Sequence, residues 1–245
     1  MHRCFVECNF SIGDMVEIAG DEAAHVARVL RYDVGDQLEI FGSGSLIGLC
    51  EIKEISKQQL VAEVKEVYVS DAEPKVKITL YQGIAKEAKM DYIIQKATEL
   101  GISKIVPVET EFSVVKIKDS AKKVERWQKI AKDAAKQCKR ASVPEIAEPV
   151  KFDKALTLLK ENEIFFAPYE AAEQGSLKDL AFGKSPESAG YIIGPEGGFS
   201  PKEANAFLCE SVPVVTLGKR ILRTETAAIT SVAMCMLEIE KENNE

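Results

Sequence analysis

Two stretches of the chain carry residue types whose order suggests chemistry. Residues 191–203 read Tyr-Ile-Ile-Gly-Pro-Glu-Gly-Gly-Phe-Ser-Pro-Lys-Glu, and residues 217–228 read Leu-Gly-Lys-Arg-Ile-Leu-Arg-Thr-Glu-Thr-Ala-Ala. In each, an apolar, β-prone run stops at a glycine and a helix start follows. Ser200, Pro201 and Glu203 suit the N-cap, first and third positions of a helix, and Thr224 can cap another. Glycine lets backbone N–H and C=O groups approach a ligand with no Cβ in the way. In open α/β sheets, ligands sit beyond the carboxyl ends of strands, where such loops lie. Lys219, Arg220 and Arg223 put positive charge beside the second loop, and a third strand end, Phe166-Ala-Pro-Tyr169, can join the other two. The same residues also serve as plain strand-to-helix turns, helix caps and a surface ion pair. The first loop is neither GxGxxG nor GxxxxGK[ST], so it gives no warrant for a phosphate site and disfavours a nucleotide-dependent oxidoreductase.

The elements that must position these loops follow from periodicity. From Lys75 onward, strands expected at 75–80, 105–108, 164–167, 191–193 and 214–217 alternate with helices expected at 89–100, 120–139, 152–160, 201–210 and 225–241. Repeated βα units give a parallel sheet covered by helices. The first 70 residues differ. Alternating runs at 34–41, 46–52 and 60–69, with glycine turns between them, suggest a small β-barrel. One helix interrupts it near 21–30, with His25, Arg28 and Arg31 on a shared face. The polar, proline-bearing segment 70–74 reads as a linker, so the expected domains are 1–70 and 71–245.

Composition narrows the function. The 245 residues are 46% hydrophobic, ample for a core, yet no run approaches the ~20 apolar residues that span a membrane. The N-terminus lacks the apolar segment of a signal peptide, so a cytoplasmic location is expected. The six cysteines form no CxxC pair and the two histidines complete no tetrahedral set with them, so no metal is expected. A Cys-His hydrolase is also poorly supported. Net charge is −7, but residues 116–140 hold ten Lys/Arg and three Asp/Glu, a local +7 that leaves −14 for the rest. Such segregation marks either a polyanion-binding face or a solvated helix.

Taken with the second loop, Gly194-Pro-Glu-Gly-Gly-Phe-Ser200 closely resembles the RsmE family of SPOUT methyltransferases, bacterial 16S rRNA (uracil-N3)-methyltransferases. Further blocks agree in order: His25-Val-Ala-Arg-Val-Leu-Arg31, residues 89–101, Glu125-Arg-Trp-Gln-Lys-Ile-Ala131, and Gln137 with Arg140. The resemblance implies a PUA-like N-terminal barrel and a SPOUT-type α/β domain with a deep trefoil knot, a feature no periodicity argument finds. It implies S-adenosylmethionine as methyl donor, a homodimer, and the decoding region of the small ribosomal subunit as target. Another rRNA or tRNA position, or an RNA-binding assembly factor without activity, are the competing readings.

Mapped onto this chain, the resemblance places the cofactor at Phe166, Ala167, Pro168, Ile193, Gly194, Pro195, Glu196, Gly197, Gly198, Leu217, Gly218, Ile221, Leu222 and Thr226. Arg223 is then expected to steady the developing uracil anion, with Glu225 or Glu196 accepting the N3 proton. RNA contacts are expected from Arg3, His25, Arg28, Arg31, Lys116, Lys136, Gln137, Lys139, Arg140 and Arg220. The chain departs from the family pattern twice. Phe112 stands where an arginine is usual, and Glu87-Ala-Lys89 replaces a Gly-Asp-Lys/Arg pattern. Both are expected to lie clear of the cofactor loops.

Overall fold

A computed structural model describes residues 1–6, 8–42, 45–70, 72–115, 119–172, 175–180 and 186–241. The chain divides into two compact units, one of residues 1–73 with 136–142, the other of residues 74–135 with 143–245.

The first unit is a five-stranded sheet. β1 (Arg3–Phe5), β2 (Met15–Ala19), β3 (Gln37–Phe41), β4 (Leu46–Ile55) and β5 (Gln59–Val69) lie in the order β1-β3-β4-β5-β2. β1 joins β3 in parallel and the other pairings are antiparallel. Alternation decides which face is buried. Val16 and Ile18 of β2, Leu38 and Ile40 of β3, and Leu60, Ala62 and Val64 of β5 share one core. Register shifts at Leu49/Cys50 and Ile52/Glu54 bend β4 against β5. No β1–β2 pairing closes the ring among the described residues, so the expected barrel is an open one. β1 and β2 were not legible in the sequence. The expected helix near 21–30 starts as α1 (Asp21–His25) and loosens into a π-helical turn over Val26–Leu30. It ends on Arg31, whose φ of 57° is left-handed.

The second unit is a parallel α/β domain. Its strands are β6 (Lys77–Gly83), β7 (Lys104–Glu109), β8 (Glu145–Ile146), β9 (Val150–Lys151), β10 (Ile164–Pro168), β11 (Ser188–Ile193) and β12 (Val214–Val215). The sheet runs β12-β10-β11-β6-β7-β8, with β9 also beside β7, and every recorded pairing is parallel. Its helices are α2 (Glu87–Glu99), α3 (Ser120–Cys138), α4 (Phe152–Leu159), α5 (Pro201–Cys209) and α6 (Thr224–Lys241). Helices on both faces explain why the strands read as continuous apolar runs. In β11, Ala189, Tyr191 and Ile193 enter one core with Met90, Ile94, Trp127 and Val232, while Ile192 enters the other with Phe152, Phe199 and Phe207. Tyr191 stacks on Phe166 at 5.6 Å and donates a hydrogen bond to the Ala228 carbonyl, which fixes α6 over β11. The last strand is shorter than the expected 214–217, because Thr216 and Leu217 leave the sheet to build a loop.

Candidate cofactor and active site

Four adjacent strands, β12, β10, β11 and β6, point the same way, so their carboxyl ends open on one place. The loop after β11 is set by backbone and capping. Gly198 holds a φ of +70°, and its N–H donates to the Pro195 carbonyl at 3.0 Å. α5 then starts on a complete capping box: Ser200 Oγ accepts from the Glu203 N–H, and the Ser200 N–H donates to Glu203 Oε2. Glu203 Oε1 also accepts the Glu111 N–H at 2.9 Å, which ties the loop after β7 to the same helix. Gly83, the last residue of β6, lies against the loop. A Cβ there would sit 2.5 Å from the Pro195 nitrogen, a separation no side chain tolerates.

Thr224 does more than open α6. Its hydroxyl donates to the Gly194 carbonyl at 2.6 Å and accepts from Gln82 Nε2 at 3.0 Å. Gln82 Nε2 also donates to the Gly83 carbonyl. A fully buried amide thus joins the end of β6, the glycine loop and the start of α6. Thr224 was expected as a cap. The structure uses its side chain as a tether instead.

A cavity of about 260 Å³ lies among these loops, lined by Lys89, Pro168, Glu170, Ile193–Phe199, Ile221–Thr224 and Ala227. A smaller one of about 60 Å³ shares Pro168, Glu170, Leu222 and Ala227 with it and adds Tyr169, Thr216, Leu217, Gly218 and Arg220. The structure therefore gathers Pro168, Ile193, Gly194, Pro195, Glu196, Gly197, Gly198, Leu217, Gly218, Ile221 and Leu222 around adjoining space, with Arg223 and Glu196 in the same wall. Phe166 and Ala167 do not join them. Both are fully buried core side chains and can offer a ligand only backbone. Thr226 is exposed and lines neither cavity.

Charge in the site is organised by α2. Glu196 Oε1 accepts the Lys86 N–H at 3.1 Å, and the Lys89 ammonium lies 3.5 Å from both Glu196 Oε1 and Glu225 Oε2. Burial pushes the Glu196 carboxyl upward, but the N–H groups of Lys86 and Glu196 and the Lys89 charge outweigh it, holding the group below the usual carboxylate range. Glu196 Oε2 and Glu225 Oε2 are buried and accept no hydrogen bond among the described residues, which leaves acceptor capacity for a donor-bearing, cationic ligand. Arg223 is exposed and makes no salt bridge among the described residues.

One departure from the family pattern, Phe112, touches this loop, against expectation; Glu87 and Ala88 do not line the cavity, whereas Lys89, which keeps the Lys/Arg of the pattern, does. A Cβ on Gly197 would lie 3.0 Å from Phe112 Cβ, and Lys89 lines the cavity and meets Glu196. Linear distance hid this, because the loops after β7 and β6 fold onto residues about 85 to 110 positions away. Gln82, Thr216, Phe199 and Ala227 were not singled out. For Gln82 a signal existed, a lone amide at the end of an apolar strand.

The expected RNA contacts divide. His25, Arg28, Arg31, Gln137, Lys139 and Arg220 are exposed. Arg140 is a correction: it is 3% exposed and bound to Glu73 and Ser142, so it offers no charge to a polyanion. Arg3 pairs with Glu39 at 2.7 Å and lies over the Phe41 ring, and Lys136 pairs with Glu22. Lys116 lies outside the described residues. His2, Cys4 and Glu22 bring ligand-type atoms within 4.8 Å of one another, though no metal was expected. The Lys136 ammonium already occupies the Glu22 carboxylate and opposes a cation there.

The comparisons accord with this geometry. An RNA methyltransferase domain matches residues 72–236, and the PUA domain of RNA methyltransferases matches residues 18–65. The class is thus an RNA methyltransferase with a PUA domain. Ribosomal RNA small subunit methyltransferase E of Bacillus subtilis is 31% identical over 98% of this chain and 98% of its own length. The enzyme of that name from Neisseria gonorrhoeae, solved bound to S-adenosyl methionine, superposes with a TM-score of 0.87 at 30% identity, covering 97% of each chain. A Legionella pneumophila protein solved with the cofactor SAM bound gives 0.87 at 32%, covering 96% of each. The chain belongs to the family of ribosomal RNA small subunit methyltransferase E.

Proposed function

We propose that this chain transfers a methyl group from S-adenosylmethionine to N3 of a uracil in 16S rRNA. The observation that carries the reading is the convergence of two glycine loops and the start of α6 on one cavity, with Arg223 and Glu196 in its wall and Glu225 linked to it through Lys89. The residues fit the cofactor. Glycines open the backbone, the acidic groups Glu170 and Glu196 face the cavity, and buried carboxylate oxygens lack donors. These features suit a compact ligand bearing a sulfonium and an ammonium. When bound, S-adenosylmethionine supplies an activated methyl group, so the protein's task is to orient and stabilise.

N3 lies on the Watson–Crick edge, so the target base must be unpaired or flipped to reach the site. Its proton must leave as the new N–CH₃ bond forms. Arg223, in the cavity wall, is assigned the developing uracil anion, and Glu225, paired with the cavity-lining Lys89, is assigned the proton. Glu196 is the poorer candidate for this role, because the Lys86 N–H and the Lys89 charge already hold its carboxyl low. RNA backbone is assigned to the exposed cations Arg28, Arg31, Lys139 and Arg220, with His25 and Gln137 beside them.

The same reading carries the trefoil knot, a homodimer and a cytoplasmic site of action. Supporting the first is the meeting of the loops after β10, β11 and β12; compatible with the last, no helix of the described residues is long and apolar enough to cross a membrane. Nucleoside mass spectrometry of ribosomal RNA from a strain lacking the gene, with and without its restoration, tests the target. Loss and recovery of N3-methyluridine in 16S rRNA is expected; loss of a different modified nucleoside would reassign the substrate.

A further inference from the structure

We propose that Lys89 is a positioning residue for methyl transfer, its ammonium holding the Glu196 and Glu225 carboxylates so that the glycine loop and the start of α6 keep one arrangement. The proposal rests on the methyltransferase reading for its kinetic consequence, but not for its structural one.

The geometry is specific. Glu196 belongs to the loop after β11 and Glu225 to the first turn of α6, segments with no covalent reason to stay together. Lys89 Nζ lies 3.5 Å from an oxygen of each, so those two oxygens are no more than twice that distance apart. Two carboxylates so close repel when both are ionised, unless a cation lies between them. Glu225 side-chain exposure is 16% and that of Glu196 is 19%, so water screens the pair only partly. Lys89 is steadied from behind. It sits in the first turn of α2, whose lead-in N–H at Lys86 binds the same Glu196 oxygen. Glu87, its neighbour, is occupied by Lys123 and Arg126. The other charged groups facing the cavity are Arg223 at the start of α6 and Glu170 after β10.

Removing the ammonium leaves the two carboxylates with no cation between them, so their repulsion loosens the glycine loop against the start of α6. On the methyltransferase reading, donor and target base are then held less well in register, which lowers kcat rather than RNA affinity.

The test uses the full-length protein with Lys89→Met, Lys89→Arg and the double variant Lys89→Met/Glu196→Gln. Lys89→Met is expected to lower kcat about tenfold or more and leave KM for 16S rRNA within about threefold. Lys89→Arg should restore most of kcat. The double variant, which removes one of the repelling charges, should bring amide exchange in 194–200 and 224–228 back toward the parent rates. A raised KM for RNA with unchanged kcat would make Lys89 a phosphate contact and overturn the proposal. Hydrogen exchange without any ligand supplies a readout independent of activity. Amides of 194–200 and 224–228 should exchange faster in Lys89→Met than in the parent and Lys89→Arg proteins; equal rates would overturn the positioning role. If the parent protein methylates no RNA while these rates still differ, the functional reading has failed and the structural one stands.

Discussion

Arg223 and Thr224 are neighbours with opposite duties. Arg223 is exposed and unpaired among the described residues, so its removal leaves no buried group orphaned. Arg223→Ala should therefore keep the fold and the affinity for S-adenosylhomocysteine while lowering kcat by about 100-fold or more, the usual cost of losing a preorganised donor at developing charge. Turnover within a few-fold of the parent would remove Arg223 from the mechanism. Thr224 is buried and holds both Gln82 and the Gly194 carbonyl. Thr224→Val keeps the shape and deletes the hydroxyl, leaving two buried groups short of a partner at a cost of about 1–3 kcal/mol. A lowered Tm together with weaker S-adenosylhomocysteine binding in calorimetry is expected, and Thr224→Ser should recover both. An unchanged Tm and affinity would mean that the tether does not hold the loop.

Between elements, close approach sets the tolerance. β6 meets the glycine loop where Gly83 faces Pro195, so Gly83→Ala cannot be fitted without moving one of them. The expected cost is about 1–3 kcal/mol in stability, with loss of cofactor affinity, measured by thermal melting and calorimetry. In the first unit, Glu73 and Arg140 form a pair whose side chains are 14% and 4% exposed. Burial raises the Glu73 carboxyl, but Arg140 and Ser142 outweigh it and leave it below its ordinary 4.5. A depressed folded pKa means stability that is present above the unfolded value and lost as pH falls through the folded one. Glu73→Gln should cost about 1–3 kcal/mol at neutral pH by removing the charge that Arg140 and Ser142 bind, and the difference from the parent should shrink as pH falls below the carboxyl's ordinary 4.5. A difference independent of pH would refute the ionic account.

These elements also show what sequence reading can reach. The α5 capping box, the α2 and α3 spans and the glycine loops were legible, because capping and 3.6-residue periodicity are local. β1, β2, β8 and β9 were not, since runs of two to five residues carry little pattern. The contacts of Lys89 with Glu196, of Phe112 with Gly197 and of Gln82 with Thr224 were invisible for another reason: they join segments that only the sheet order brings together.

At the scale of the molecule, segregated charge is not the same as available charge. Of the cations in the basic stretch, Lys122, Lys123, Arg126, Lys136 and Arg140 are ion-paired within the protein. Of the exposed cations that form no ion pair among the described residues, Arg28, Arg31, Lys139 and Arg220 are the ones assigned to an RNA backbone, with Lys129 and Lys219 also exposed. Four phosphate contacts predict a log–log salt slope of about −3 for single-stranded RNA, far shallower than the local charge would suggest. Arg28→Ala/Arg31→Ala should reduce that slope by about 1.4. A slope near zero in the parent protein would contradict the RNA-binding surface.

The most direct measurement is methyl transfer in vitro: purified protein, labelled S-adenosylmethionine and small-subunit RNA lacking the modification, with the product nucleosides resolved by mass spectrometry. The expected result is label at one uracil, recovered as N3-methyluridine and absent with Arg223→Ala. Cofactor binding without label in any uracil of 16S rRNA would contradict it.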